Sequence, residues 1–301
     1  MSILLSSISQ GLLWSIMAIG VYLTFRILDI ADLTAEGSFP LGAAICASLI
    51  AYGVSPLWST AAALLGGMLA GTVSGLLHTK LKIPALLTGI LTMTGLYSIN
   101  LRIMGKANIT LLGKETLMRI MQAYGLTNRT AVLVVGAIAS AFVILILYLF
   151  FNTEIGLAIR STGDNEAMSE ANGIHTNTMK IIGYMLSNGL IALSGALIAQ
   201  NNSYADIGMG IGTIVIGLAS VIIGEVLFRN LSFVKRLGTI VIGSIVYRLI
   251  IDLVLQLGVD PQDIKLFSAL ILAIALSTPL LKKKRKKAPL QFKNRWKKGV
   301  N

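Results

Sequence analysis

Nine long apolar runs, at 2–25, 39–54, 57–78, 84–101, 131–151, 181–200, 207–228, 238–257 and 264–281, constrain this chain more than any other feature. A hydrocarbon core about 30 Å thick takes about 20 apolar residues per helical crossing. The runs are continuous rather than alternating, which excludes the ten-residue strands of an outer-membrane barrel. The expected fold is all-α: a polytopic membrane protein of about nine transmembrane helices, in one transmembrane domain over 1–281. A mean hydropathy of +0.80 and 13% charged residues exclude a soluble domain. The run at 39–54 is short enough for a broken or tilted segment. The first run lacks a basic leader and reads as a crossing, not a cleavable signal.

The net charge of +12 does not point to nucleic acid, because much of it sits in a basic tail, 282–301. Membrane lipid and the excess of Lys and Arg on cytoplasmic loops account for that placement. With the tail inside, the same side holds Arg26, Lys80, Lys82, Arg160, Lys180, Arg229, Lys235 and Arg236. The other side holds Arg102, Lys106, Lys114, Arg119 and Arg129, all within an extracytoplasmic loop at 102–130. The N-terminus is then outside, and the polar passage 153–180 is a cytoplasmic loop. Within the outer loop, Leu117, Ile120, Met121 and Tyr124 have the spacing of an amphipathic helix.

Polar groups inside the runs are the candidates for a solute passage: Thr92, Thr94 and Asn100 in the fourth, Ser187 and Asn188 in the sixth. Hydrogen bonding between helices is the competing explanation. Arg248 and Asp252, four apart, read as an internal ion pair, or else as a relay or substrate counter-ion. Glu225 has Arg229 at the same spacing and reads as a local pair. Asp29, Asp32 and Glu36 read as a solvated cytoplasmic turn. Gly67, Gly71, Gly75, Gly183, Gly189 and Gly195 imply close helix contacts, within one subunit or across a dimer. Passages 35–53 and 205–224 carry a weak likeness that an inverted repeat would explain. The lone Cys46 allows no internal disulfide; no metal pattern and no phosphate loop occur, so neither cofactor nor enzyme activity is expected.

The passage Thr153 to Lys180 mixes small and acidic residues, as a solvated loop or a short docking helix would. Its succession Gly156-Leu157-Ala158-Ile159-Arg160, Gly163-Asp164-Asn165, Ala171 and Gly173-Ile174, closed by Lys180, resembles the coupling loop of permease subunits of ATP-binding-cassette importers. The family is the one handling branched-chain amino acids, ribose and related solutes. The resemblance implies that a separate ATP-binding subunit docks on Gly156, Ala158, Arg160, Asp164, Asn165, Glu166 and Gly173. It implies a homodimer with the solute path at its interface, in the bacterial cytoplasmic membrane. It also implies an extracytoplasmic solute-binding lipoprotein, received near Lys114, Glu115 and Arg119. The expected solute is an aromatic or branched-chain amino acid. The alternative is an ion-coupled secondary transporter acting without an ATPase, with Arg248 and Asp252 as its coupling pair.

Overall fold

The computed structural model describes residues 2–228, 231–260 and 263–277. The basic tail lies outside them. Helix α1 (Ser2–Tyr22) runs into a π-helical turn, Leu23–Ile27, and an irregular segment precedes α2 (Ala35–Ala51). Then come α3 (Pro56–Thr79), α4 (Ala85–Met104), strand β1 (Asn108–Thr110), α5 (Leu117–Ala123) and α6 (Asn128–Phe151). Two short helices follow, α7 (Glu154–Asp164) and α8 (Glu166–Ala171), and then α9 (Thr176–Asn202). Strand β2 (Tyr204–Asp206), a 3-10 turn, α10 (Thr213–Leu227), α11 (Phe233–Gln256) and α12 (Ile264–Ser277) complete the described elements.

The nine apolar runs fall on α1, α2, α3, α4, α6, α9, α10, α11 and α12. Among the described residues, six helices are long and apolar enough to cross a membrane. Of the other three, α2 and α12 are apolar but shorter. Helix α4 has 20 residues, but Thr88, Thr92, Thr94, Ser98, Asn100 and Arg102 dilute its hydrophobicity.

Helix α9 is the centre of the bundle, with Tyr184, Ile191, Ala192 and Leu197 fully buried. Glycines let α3 lie directly on it. A Cβ at Gly67 would stand 2.4 Å from the Asn188 carbonyl oxygen, one at Gly71 2.2 Å from that of Tyr184, and one at Gly75 2.9 Å from the Ile181 Cα. The four-residue spacing puts all three on one helical face. These small residues therefore serve contacts within one chain. Helix α2 reaches α9 the same way, where a Cβ at Gly42 would meet the Ala192 oxygen at 1.9 Å.

Opposite ends of α6 define the two ends of the bundle. At one, β1 pairs antiparallel with β2 (Ile109 opposite Ala205), and α5 packs through Leu117, Met118 and Met121. Tyr124 falls beyond the helix and is exposed, so Met118 takes its place on the inward face. At the other end lie α7, α8 and an ion cluster. There Glu225 pairs with Arg26 and, at 3.9 Å, with Arg236, joining the π turn to α10 and α11. The expected local partner Arg229 lies outside the described residues; the observed partners come from other elements.

Candidate functional site

Helix α7 starts where the Thr153 hydroxyl accepts a hydrogen bond from the Gly156 N–H at 3.3 Å, a standard N-cap. Its inward face is Gly156, Ile159 and Thr162. Gly156 is buried so tightly on the end of α6 that a Cβ would lie 2.4 Å from the Phe151 Cα. Ala158 is half-buried. Arg160 turns inward: its guanidinium carbon lies 3.8 Å from the Phe233 ring centroid and 5.5 Å from that of Phe151. Partial burial lowers the Arg160 pKa from the ordinary arginine value, and the charges of Tyr22 and Asp164 oppose that shift. Arg160 thus clasps the end of α6 to the start of α11.

Such a cation–π contact contributes about 0.5–2 kcal/mol. Arg160→Gln is expected to lower the thermal stability of the purified chain by about 1 kcal/mol, with Arg160→Lys recovering only part of it. Equal melting of Arg160→Gln and the parent chain would dismiss the clasp.

Asp164, Asn165 and Glu166 are exposed at the junction of α7 and α8. Asn165 caps α8, its Oδ1 accepting from the Met168 N–H at 3.0 Å. Ser161 and Ser169 hydroxyls bond at 2.7 Å and hold the two helices together. Glu166 pairs with Lys180, and the Thr176 hydroxyl donates to Glu170 Oε1 at 2.7 Å, anchoring α8 to the start of α9. Gly173 closes α8 with φ +80°, its N–H donating to the Glu170 oxygen at 2.9 Å and that of Ile174 to the Ser169 oxygen at 3.0 Å. What remains outward is Met168, 64% exposed, flanked by Asp164, Glu166 and Glu170. The exposure of Met168 is not legible in the sequence, because a lone methionine in a polar passage gives no periodic signal.

The five polar candidates inside the bundle divide differently. Thr94 is exposed on α4, its hydroxyl bonded to the Ile90 oxygen at 2.7 Å. Thr92, Asn100, Ser187 and Asn188 are buried at helix contacts. Ser187 donates to the Gly20 oxygen at 2.8 Å, and Asn100 Nδ2 reaches the Gly37 oxygen at 3.3 Å. Thr92 accepts from Ser74 at 3.0 Å, and Ser74 in turn bonds Thr34 at 2.9 Å. Asn188 receives the Ser38 hydroxyl at 2.7 Å and donates to Asp32 Oδ2 at 2.8 Å.

Asp32 is therefore no part of a solvated turn. It is 4% exposed, its other oxygen accepting from the Thr34 N–H at 2.9 Å. Glu36 is half-buried and accepts from the Gly212 N–H at 3.0 Å, joining the starts of α2 and α10. Asp29 is exposed, as expected. On the β1–β2 side, Lys114 and Arg119 spend donors on the Ala51 and Lys114 carbonyls at 3.2 Å. No group of three or more His, Cys, Asp or Glu able to hold a metal occurs among the described residues.

The family model described as branched-chain amino acid transport system / permease component matches residues 3–276. A tyrosine transport system permease protein of Clostridioides difficile (strain R20291) is 44% identical, over 92% of this chain and 92% of that one. An uncharacterized protein of Rickettsia prowazekii (strain Madrid E) is 33% identical, over 92% of this chain and 98% of that one. The ribose import permease protein of Haemophilus influenzae (strain ATCC 51907 / DSM 11121 / KW20 / Rd) is 27% identical, over 73% of this chain and 68% of its own.

Proposed function

Since this chain belongs to the family of branched-chain amino acid transport system permease components, we propose that it forms the solute pathway of an ATP-driven importer for an amino acid, with an aromatic side chain favoured. It is a multi-pass permease of the bacterial cytoplasmic membrane, and ATP hydrolysis belongs to a separate subunit. The observation that carries the reading of the coupling site is the tip of α7 and α8: an exposed Met168 among carboxylates, on a segment fixed to four other helices. A mobile loop would absorb a partner's motion; a braced one transmits it. The partner surface that fits is an apolar pocket rimmed by cations.

In this reading the tail side faces the cytoplasm, and a solute-binding lipoprotein meets the β1–β2 end. The exposed apolar faces of α3 and α6 meet lipid or the second copy of a homodimer. The meeting of α2 and α10 at their starts supports an inverted repeat across the bundle. Tyrosine, which the Clostridioides relative's name specifies, is the first solute to test.

The test is purification of the tagged chain from its own membrane, with identification and assay of the ATPase that accompanies it. Met168→Asp is expected to weaken that association at least tenfold, about 1.4 kcal/mol, because a buried apolar anchor becomes a charge. The assembled complex in liposomes is expected to take up tyrosine only with ATP. Uptake by the chain alone under an ion gradient would replace this reading with a secondary transporter.

A further inference from the structure

Near the β1–β2 end, a cavity of about 160 Å³ opens between α1, α9 and α11. Gln10, Trp14, Asn201, Asn202 and Arg248 line it with two aliphatic side chains, and Asn202 at its rim is exposed. Two features set it apart from an ordinary packing defect. Its walls carry three amide side chains and a guanidinium, where a packing void is lined by aliphatic groups. The guanidinium is also incompletely matched. Arg248 Nε lies 3.3 Å from Asp252 Oδ1, yet the buried Nε makes no hydrogen bond. Asp252 turns its other oxygen to the Ser7 hydroxyl. The pair is thus a loose charge contact, whereas arginine binds a carboxylate best through two parallel N–H donors.

From this geometry we propose that the cavity binds the carboxylate end of the transported amino acid, with Arg248 as the carboxylate partner and Gln10, Asn201 and Asn202 as hydrogen-bonding groups around it. The inference rests on the amino-acid reading above. A cavity of roughly 150 Å³ holds a benzene-sized group. The space therefore suits an amino-acid head group or one ring, and is too small for an entire larger solute. Trp14 is braced by stacking on Phe39, with ring centroids 5.2 Å apart, so it forms a fixed apolar wall. Asn201 and Asn202 end α9, directly before the strand that pairs with β1, which places the site where a solute would enter from that end.

Equilibrium binding of tritiated L-tyrosine to the purified full chain in phosphatidylcholine nanodiscs tests this. Tyrosine is expected to bind and to be displaced by unlabelled tyrosine, while tyramine, which lacks the carboxylate, fails to compete. Arg248→Gln combined with Asp252→Asn, which leaves no unpaired charge, is expected to weaken binding at least tenfold. Gln10→Leu, which leaves the ion pair intact, is expected to weaken it several-fold and guards against misfolding of the double variant. Competition by tyramine equal to tyrosine, or unchanged binding in both variants, overturns the proposal. Loss of tyrosine binding when phosphatidylglycerol replaces phosphatidylcholine would assign the cavity to a lipid head group and overturn it too. If the assembled complex shows no ATP-driven tyrosine uptake, the amino-acid reading itself fails; uptake that persists beside a negative binding result removes only this site.

Discussion

Replacing Gly163 with leucine is expected to abolish ATP-driven uptake by the assembled transporter while leaving its ATPase bound. A Cβ at Gly163 would stand 1.6 Å from the Ile27 carbonyl oxygen and 3.0 Å from the Leu28 Cα. Ile27 ends the π turn of Leu23–Ile27, closed by the Leu28 N–H to the Leu23 oxygen at 3.1 Å. Ordinary contact distances require α7 and the turn to part by roughly 1–2 Å, far beyond what a packed interface absorbs. The outward residues Asp164, Glu166 and Met168 would keep their exposure, so docking survives while the contact behind it is lost. The expected pattern is full subunit association, continued ATP hydrolysis and uptake lowered at least a hundredfold. Gly163→Ala should show the same defect, since the offending atom is the Cβ itself. Uptake at the parent level in Gly163→Leu would mean that α7 does not act through the π turn.

A π turn costs hydrogen-bond geometry and is common at functional positions. Here it sits where the tip's brace meets the bundle: Glu225 holds Arg26 within it, and Gly163 presses on its last carbonyl. Five residues further along, Asp32 enters the buried network with Asn188 and Thr34. Helix α7, the π turn, Asp32 and the centre of α9 are thus linked in series, by the backbone contact at Gly163, by the chain from Ile27 to Asp32, and by the Asp32–Asn188 hydrogen bond.

How much of this was legible follows from whether the determining neighbours were local. Each apolar run fell on a helix because burial in lipid is written along the segment itself. Thr153 and Asn165 cap α7 and α8 from within the same turn, and the glycines of α3 announce their face by spacing. The carboxylate of Asp32 was misread as solvated because its partner Asn188 is 156 residues away. Glu225 pairs with Arg26, 199 residues away, a partner that no local spacing announces. The packing of Arg160 on Phe233 is not legible locally, because that ring begins a distant helix. Thr92, Asn100 and Ser187 suit a passage or, more commonly, helix contacts, and the partners they bond, Ser74 and the Gly37 and Gly20 carbonyls, are not announced by their own spacing.

The second large effect is expected at Asn188. Its amide accepts from Ser38 and donates both to Asp32 and to the Tyr184 carbonyl, at 3.0 Å, so one side chain ties α9 to α2 and to the segment after the π turn. Asn188→Ala removes the donor from Asp32 Oδ2 and leaves a buried carboxylate bonded only through Thr34. Leaving that buried carboxyl oxygen without its donor costs about 1–3 kcal/mol. Asp32→Asn removes the charge and keeps the shape, so the two substitutions should not add. In unfolding of the purified protein, Asn188→Ala is expected to destabilise the parent by about 1–2 kcal/mol more than it destabilises the Asp32→Asn background. Equal losses in both backgrounds would show that no charge at Asp32 depends on Asn188. Uptake is expected to follow the same order, because Asn188 holds both α2, through Ser38, and the segment after the π turn, through Asp32.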